Sequence, residues 1–178
     1  SEAPPAIISM FVGDDLAEVL KSVADGSDYI AKAREIMTSG VDALPDFARD
    51  TTDRNRTSPF AFTGNKFEFR MPGSSLSVSG PNFILNTAVA ESLKQFADTL
   101  KARDDFESAV DELLRETVKK HSRIIFNGNN YSDEWIEEAE KRGLLNLRST
   151  PDALPYFIKE KNIKLFESHG ILTRDEIV

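Results

Sequence analysis

The chain is 178 residues long, with a formal net charge of −8, no cysteine and two histidines. Its 40% hydrophobic and 29% charged content is ordinary for a globular protein, enough for one sizeable core and a small second lobe. The acidic balance argues against nucleic acid or an anionic membrane as main partner, the lack of cysteine excludes thiol and disulfide chemistry and is compatible with a reducing cytoplasm, and no stretch reads as a membrane span or signal peptide.

Pro4 and Pro5 precede the apolar run Ala6–Val12, closed by Gly13, which predicts a buried strand. Asp14 or Asp15 opens a helix over Leu16–Ala24 that stops near Gly26, and a second helix is expected at about Tyr29–Met37. Thr38–Ser58 is polar, broken by Gly40 and Pro45, and reads as a long loop of the kind that often carries function. Pro59–Thr63 and Asn65–Met71 read as two strands joined near Gly64, followed by a turn at Pro72–Ser75. Pro81 suits the first turn of the next helix, where Leu85, Val89, Leu93, Phe96 and Leu100 form one apolar stripe. A further helix over about Asp105–Ser122 is expected to turn Phe106, Val110, Leu113, Leu114 and Val118 inward.

Asn127-Gly128-Asn129-Asn130 is a turn signal. Ser132 suits an N-cap with Asp133 and Glu134 behind it, Gly143 suits the C′ position, and Glu137 and Lys141 are spaced to pair on the solvated face. Thr150 is read as the cap of a helix with Pro151 at its first position, carrying Leu154, Phe157 and Ile158; Leu165 and Phe166 continue to a stop at Gly170. Thr173-Arg174-Asp175-Glu176 is a capping box, flanked by Leu172 and Ile177 as a hydrophobic staple. A helix opened two residues from the last position is not stable alone, so the chain is expected to be a piece of a longer protein.

The chemistry concentrates between residues 54 and 70, where Arg54, Arg56, Lys66 and Arg70 surround a single acid, Glu68. In a strand, Lys66, Glu68 and Arg70 share one face and Phe67 and Phe69 the other. A carboxylate between two cations suits a metal ion bound together with a multiply charged anion; the bland reading is a weak ion pair on an exposed sheet face. Phe60, Phe62, Phe67 and Phe69 are read as core packing, and Asn82 and Asn86 as buried hydrogen-bonding residues. His121 and His169 fall near helix C-termini, where a cation is favourable, and neither has a second histidine at zinc-ligand spacing.

The run NRTSPFAFTGNKFEFRMPGSS, followed by GPNFILNTAVAESLKQFAD, resembles the C-terminal part of the catalytic region of glutamine synthetase, and is most similar to the large type III form. EAPPAIISMFVG resembles the same family's glutamate-bearing flap, and NGNNYSDEWIEEAEKRGLLNLRSTPDALPYFIKEKNIKLFESHGI resembles the type III C-terminal extension. The resemblance implies 1–103 as the end of the catalytic domain and 104–178 as a helical extension, truncated at its end. It implies an α+β fold, mainly helical, with a few antiparallel strands packed on the long helix at 81–103 and the C-terminal helices wrapped around them.

The same resemblance implies ligation of glutamate and ammonium with ATP, by way of γ-glutamyl phosphate and with Mg2+ or Mn2+, in a cytoplasmic homo-oligomer. Glu2 matches the flap glutamate that helps deprotonate ammonium, and Arg56 matches an arginine near the transferring phosphate and the nucleotide. Glu68 matches a metal ligand, Arg70 the arginine that meets glutamate and the phosphoryl group, and Lys66 a position near the nucleotide. Where shorter bacterial relatives carry a second arginine, this chain has Ala61, and the family's remaining metal-binding glutamates, substrate histidine and nucleotide platform match nothing in it. The chain alone is therefore expected to be inactive. Two other readings stand beside this one, an assembly module and a non-catalytic relative that binds a regulator.

Overall fold

The computed structural model describes residues 6–29, 36–37, 47–48, 57–70, 73 and 75–178. In chain order the elements are β1 (Met10–Phe11), α1 (Asp14–Asp25), β2 (Ile36–Met37), β3 (Phe47–Ala48), β4 (Phe60–Phe62), β5 (Phe67–Phe69), α2 (Ser79–Lys101), α3 (Phe106–His121), a 3-10 turn (Ser122–Ile124), α4 (Asp133–Lys141), α5 (Thr150–Phe157), α6 (Glu160–Ser168) and α7 (Arg174–Ile177). The architecture is α+β and mainly helical, as expected, but the sheet is mixed and not purely antiparallel. Its order is β1-β4-β5; β4 and β5 form an antiparallel hairpin, while β1 runs parallel to β4. A parallel pair needs a crossover long enough to carry other structure, and α1 lies on that connection.

Two other expectations change here. Ile36–Met37, placed at the end of a helix by the sequence reading, is a strand. It pairs antiparallel with Phe47–Ala48 inside the stretch read as a loop, with Ile36 opposite Ala48 and Met37 opposite Phe47. The partner strand, not local periodicity, fixes such a short segment.

The main core lies at the start of the sheet. Ile7, Trp135 and Ala139 are buried together, with Phe126, Ile136 and Leu144 packed against them. Trp135 is 1% exposed and stacks on Phe126 with ring centroids 3.8 Å apart. Arg142 lies 5.3 Å over the same indole, donates from Nη1 to the Ile125 carbonyl at 2.9 Å, and pairs with Glu138 at 2.7 Å. That pair, Glu138–Arg142, is the contact the helix forms where the spacing of Glu137 and Lys141 had suggested another. The ends of α4 follow the sequence: Ser132 Oγ accepts from Trp135 N–H at 3.2 Å, and Gly143 adopts φ 69° while Leu144 N–H reaches the Ala139 carbonyl at 2.9 Å.

The long helix packs differently from the expectation. Its principal partners are α3 and α6, and not the sheet. Thr87 is its buried residue, Phe83 meets Phe166 edge-on at 5.9 Å, and Glu91 bonds His169 Nε2 at 2.8 Å. The predicted stripe is covered only in part: Leu85, Phe96 and Leu100 are half-buried, while Val89 is 57% and Leu93 61% exposed. On α3, Ala109 is buried and Val110, Leu113 and Val118 are partly covered, whereas Phe106 and Leu114 are exposed. Asn82 and Asn86 are exposed too, with Asn86 Nδ2 donating to the Asn82 carbonyl at 2.8 Å.

At the C-terminal end, Ser149 and not Thr150 caps α5, accepting from Asp152 N–H, so Pro151 stands second in the helix. The chain bends between α5 and α6, where Asn162 Nδ2 donates to the Tyr156 carbonyl at 2.6 Å. The capping box at Thr173 forms, with Glu176 Oε2 accepting from Thr173 N–H at 2.8 Å. Among the described residues, no helix is long and apolar enough to cross a membrane.

Candidate functional site

The β4–β5 hairpin presents the cationic cluster. Its loop closes through Thr63 N–H donating to the Lys66 carbonyl at 2.8 Å, and Gly64 takes φ 94°, a conformation that a Cβ disfavours. The register sets Phe60 opposite Phe69, Ala61 opposite Glu68 and Phe62 opposite Phe67. Alternation therefore gathers all four phenylalanines on one face. Phe60 and Phe67 stack at 5.6 Å, and Phe62 and Phe67 meet at 5.2 Å. This aromatic face is only partly covered, since Phe67 and Phe69 remain exposed.

Glu68 stands on the opposite face, between its two cations. Arg70 donates from Nε and Nη2 to Glu68 Oε2 at 3.1 and 2.9 Å, and Lys66 Nζ lies 3.4 Å from Oε1. Hydrogen bonding from Arg70, then from Lys66, holds the Glu68 carboxyl below the usual carboxylate range. The Glu68 side chain is 38% exposed and that of Arg70 19%, so the acid is open to an incoming ion while the guanidinium is largely held in place. Arg70 N–H also donates to the Pro59 carbonyl at 2.6 Å, which ties the end of β5 to the approach to β4.

Three of the five predicted site residues, Lys66, Glu68 and Arg70, are thus brought together on one face. Glu2 and Arg56 lie outside the described residues, as does Arg54. Ala61 is 0% exposed, between Phe11 on β1 and Glu68 on β5, so a small side chain is what the central strand accommodates there. Among the described residues, no three His, Cys, Asp or Glu side chains cluster to hold a metal ion. A hard cation accepts several oxygen ligands, and Glu68 fits as one carboxylate donor in a set completed by other groups.

The sequence reading treated the 127–130 run only as a turn, yet its side chains reach back to β1. Asn127 Oδ1 accepts from both Val12 and Gly13 N–H at 3.1 Å, so the turn closes the end of β1 just before α1 begins. Three asparagines in so short a turn were the only hint in the sequence.

Comparison with known proteins gives this geometry a context. Residues 109–178 match the glutamine synthetase C-terminal domain. Over 99% of its length the chain is 49% identical to a glutamine synthetase of Butyrivibrio fibrisolvens and 46% identical to the type-3 glutamine synthetase of Dictyostelium discoideum. The chain belongs to the glutamine synthetase family. A glutamine synthetase of Bacteroides fragilis (strain YCH46) is 35% identical over the same 99%. The chain spans about a quarter of the length of these glutamine synthetases, 24% to 25%. The matched C-terminal domain takes in Trp135, Ala139 and the asparagine turn, while the Glu68 hairpin precedes it in sequence.

Proposed function

We propose that this chain supplies part of the active site of a glutamate–ammonia ligase, which at full family length condenses glutamate and ammonium with ATP by way of γ-glutamyl phosphate. The observation that carries the reading is Glu68 held between Lys66 and Arg70 on one open sheet face, in a chain that resembles glutamine synthetases from end to end. In the reaction, the γ-carboxylate of glutamate attacks the terminal phosphorus of ATP and ADP leaves; ammonia then attacks the acyl carbon and phosphate leaves.

Each residue has a role that its chemistry suits. Arg70 meets the glutamate substrate and the migrating phosphoryl group, whose charge spreads over oxygens that a fixed guanidinium stabilises. Arg56 lies by the transferring phosphate and Lys66 by the nucleotide. Glu68 is a ligand to Mg2+ or Mn2+, which neutralises phosphate charge when bound. Glu2 takes a proton from ammonium to release the attacking lone pair. Glutamate, ammonium and ATP are the ligands, and a cytoplasmic homo-oligomer is the setting.

Glu68→Gln in a full-length glutamine synthetase carrying this segment tests the reading. Glutamine formation is expected to fall by about a hundredfold or more. Retention of wild-type turnover by that variant would remove Glu68 from the site. The chain by itself, with one metal ligand and three cations, is expected to form no glutamine above its own Glu68→Ala control.

A further inference from the structure

One asparagine joins the C-terminal helices to two separate stretches of the sheet. Asn130 and Ser9 are each 1% exposed, and Ser9 Oγ donates to Asn130 Oδ1 at 2.6 Å. Asn130 N–H donates to the Thr57 carbonyl at 3.3 Å. Ser9 directly precedes β1, and Thr57 begins the approach to β4. From Thr57 the chain runs through buried Ser58 and Pro59, and the Pro59 carbonyl receives Arg70 N–H. On the other side of the turn, Phe126 N–H donates to the Met10 carbonyl at 2.9 Å, beside the Asn127 contacts to Val12 and Gly13.

Asn130 Nδ2 is buried without a hydrogen-bond partner among the described residues. A residue kept there only to fill space would be better apolar, because a half-satisfied buried amide weakens a core. What the carboxamide does supply is a fixed acceptor for Ser9, beside a backbone N–H aimed at Thr57. Connectivity gives these anchors their importance. Thr57 is bonded to Arg56, and Ser9 stands seven residues after Glu2, so the stretches leading to both proposed catalytic residues adjoin the anchors.

We propose that Asn130 is a positioning residue for the ligase site, holding the Ser9 end of β1 and the Thr57–Pro59 approach to Arg70 in fixed relation. The proposal rests on the ligase reading above. It gives the C-terminal helices a direct part in the reaction, because a displacement of about 1 Å in a reacting group can cost a hundredfold in rate.

The test compares Ser9→Thr with Ser9→Val in a glutamine synthetase of full family length carrying this segment. The two side chains have nearly the same shape, but only threonine keeps the donor to Asn130. Turnover is followed with glutamate, ATP and ammonium where circular dichroism and particle size match the wild type. Ser9→Thr is expected to keep kcat within about twofold, and Ser9→Val to lose about tenfold with the KM for ATP unchanged. Asn130→Ala is expected to lose at least as much. If the added methyl group is too large, Ser9→Ala removes the hydroxyl without adding volume, and the same loss of kcat is required. An active wild type with Ser9→Val equal to Ser9→Thr, or with Ser9→Ala unimpaired, overturns the positioning role alone. A wild type that forms no glutamine overturns the ligase reading and this role with it.

Discussion

Glu68 and Trp135 show how differently single residues serve this molecule. Glu68 is more than a third exposed, and exposed ion pairs contribute little to folding. Glu68→Gln is therefore expected to leave the thermal unfolding midpoint nearly unmoved, which separates its chemical role from a structural one. Trp135 is the opposite case. It is the sole tryptophan, buried against Ile7, Phe126 and Ala139, and Trp135→Ala is expected to cost about 3–5 kcal/mol in urea unfolding. Its fluorescence should be blue-shifted in the native state and move red in step with loss of helix. A third residue adds a small acid dependence. Arg103 donates from Nε and Nη2 to Asp105 at 2.9 and 3.0 Å and, with the Asp105 backbone N–H, holds that carboxyl at about 2. A folded-state pKa below the ordinary one stabilises at higher pH and is lost as pH falls through it. Because this pair is exposed too, thermal midpoints should fall only slightly on its account between about pH 5 and pH 2, and Asp105→Asn should remove that small part of the slope.

At the level of elements, helix ends were the most legible features, because capping is local chemistry. Ser132 and Gly143 bound α4 as their residue types demand, and the Thr173 box forms. Gly143→Ala is expected to destabilise by about 1–2 kcal/mol, since a Cβ at φ 69° is strained. Gly80→Ala meets open space, but at the second position of α2 and directly before Pro81 the gain of a helix interior does not apply, so it should be close to neutral; chemical denaturation of the two variants checks the contrast. Where tertiary partners decide, the sequence was a poor guide. Leu85, Val89 and Leu93 keep helical spacing, but α2 meets the α6 region through Phe83, which faces Phe166, and Glu91, which bonds His169 just past the end of α6. Spacing reports that a stripe exists, and not which neighbour covers it. The two-residue strands at 36–37 and 47–48 are likewise too short for a period of two to be visible. The parallel union of β1 and β4 depends on a crossover that no local pattern reveals.

Across the whole molecule, the Glu68 side of the candidate site was legible because it is a three-residue alternation on one strand. The grip of the asparagine turn on β1 was not, because it joins residues far apart in sequence. The outward apolar face of α2 has a consequence for behaviour in solution. Val89 and Leu93 leave water most cheaply against another apolar surface, so the chain is expected to self-associate as concentration rises. Light scattering should show a concentration-dependent particle size that Leu93→Lys reduces. The separation of β1 from its turn also bears on biosynthesis. Val12 and Asn127 are 115 residues apart, which at about 5–20 residues per second leaves the newly made strand waiting for roughly ten seconds. Ile7 and its neighbours emerge from the ribosome without the indole that will cover them. They are thus candidates for chaperone capture, and translation arrested before residue 125 should leave 6–13 open to a protease that the finished chain resists.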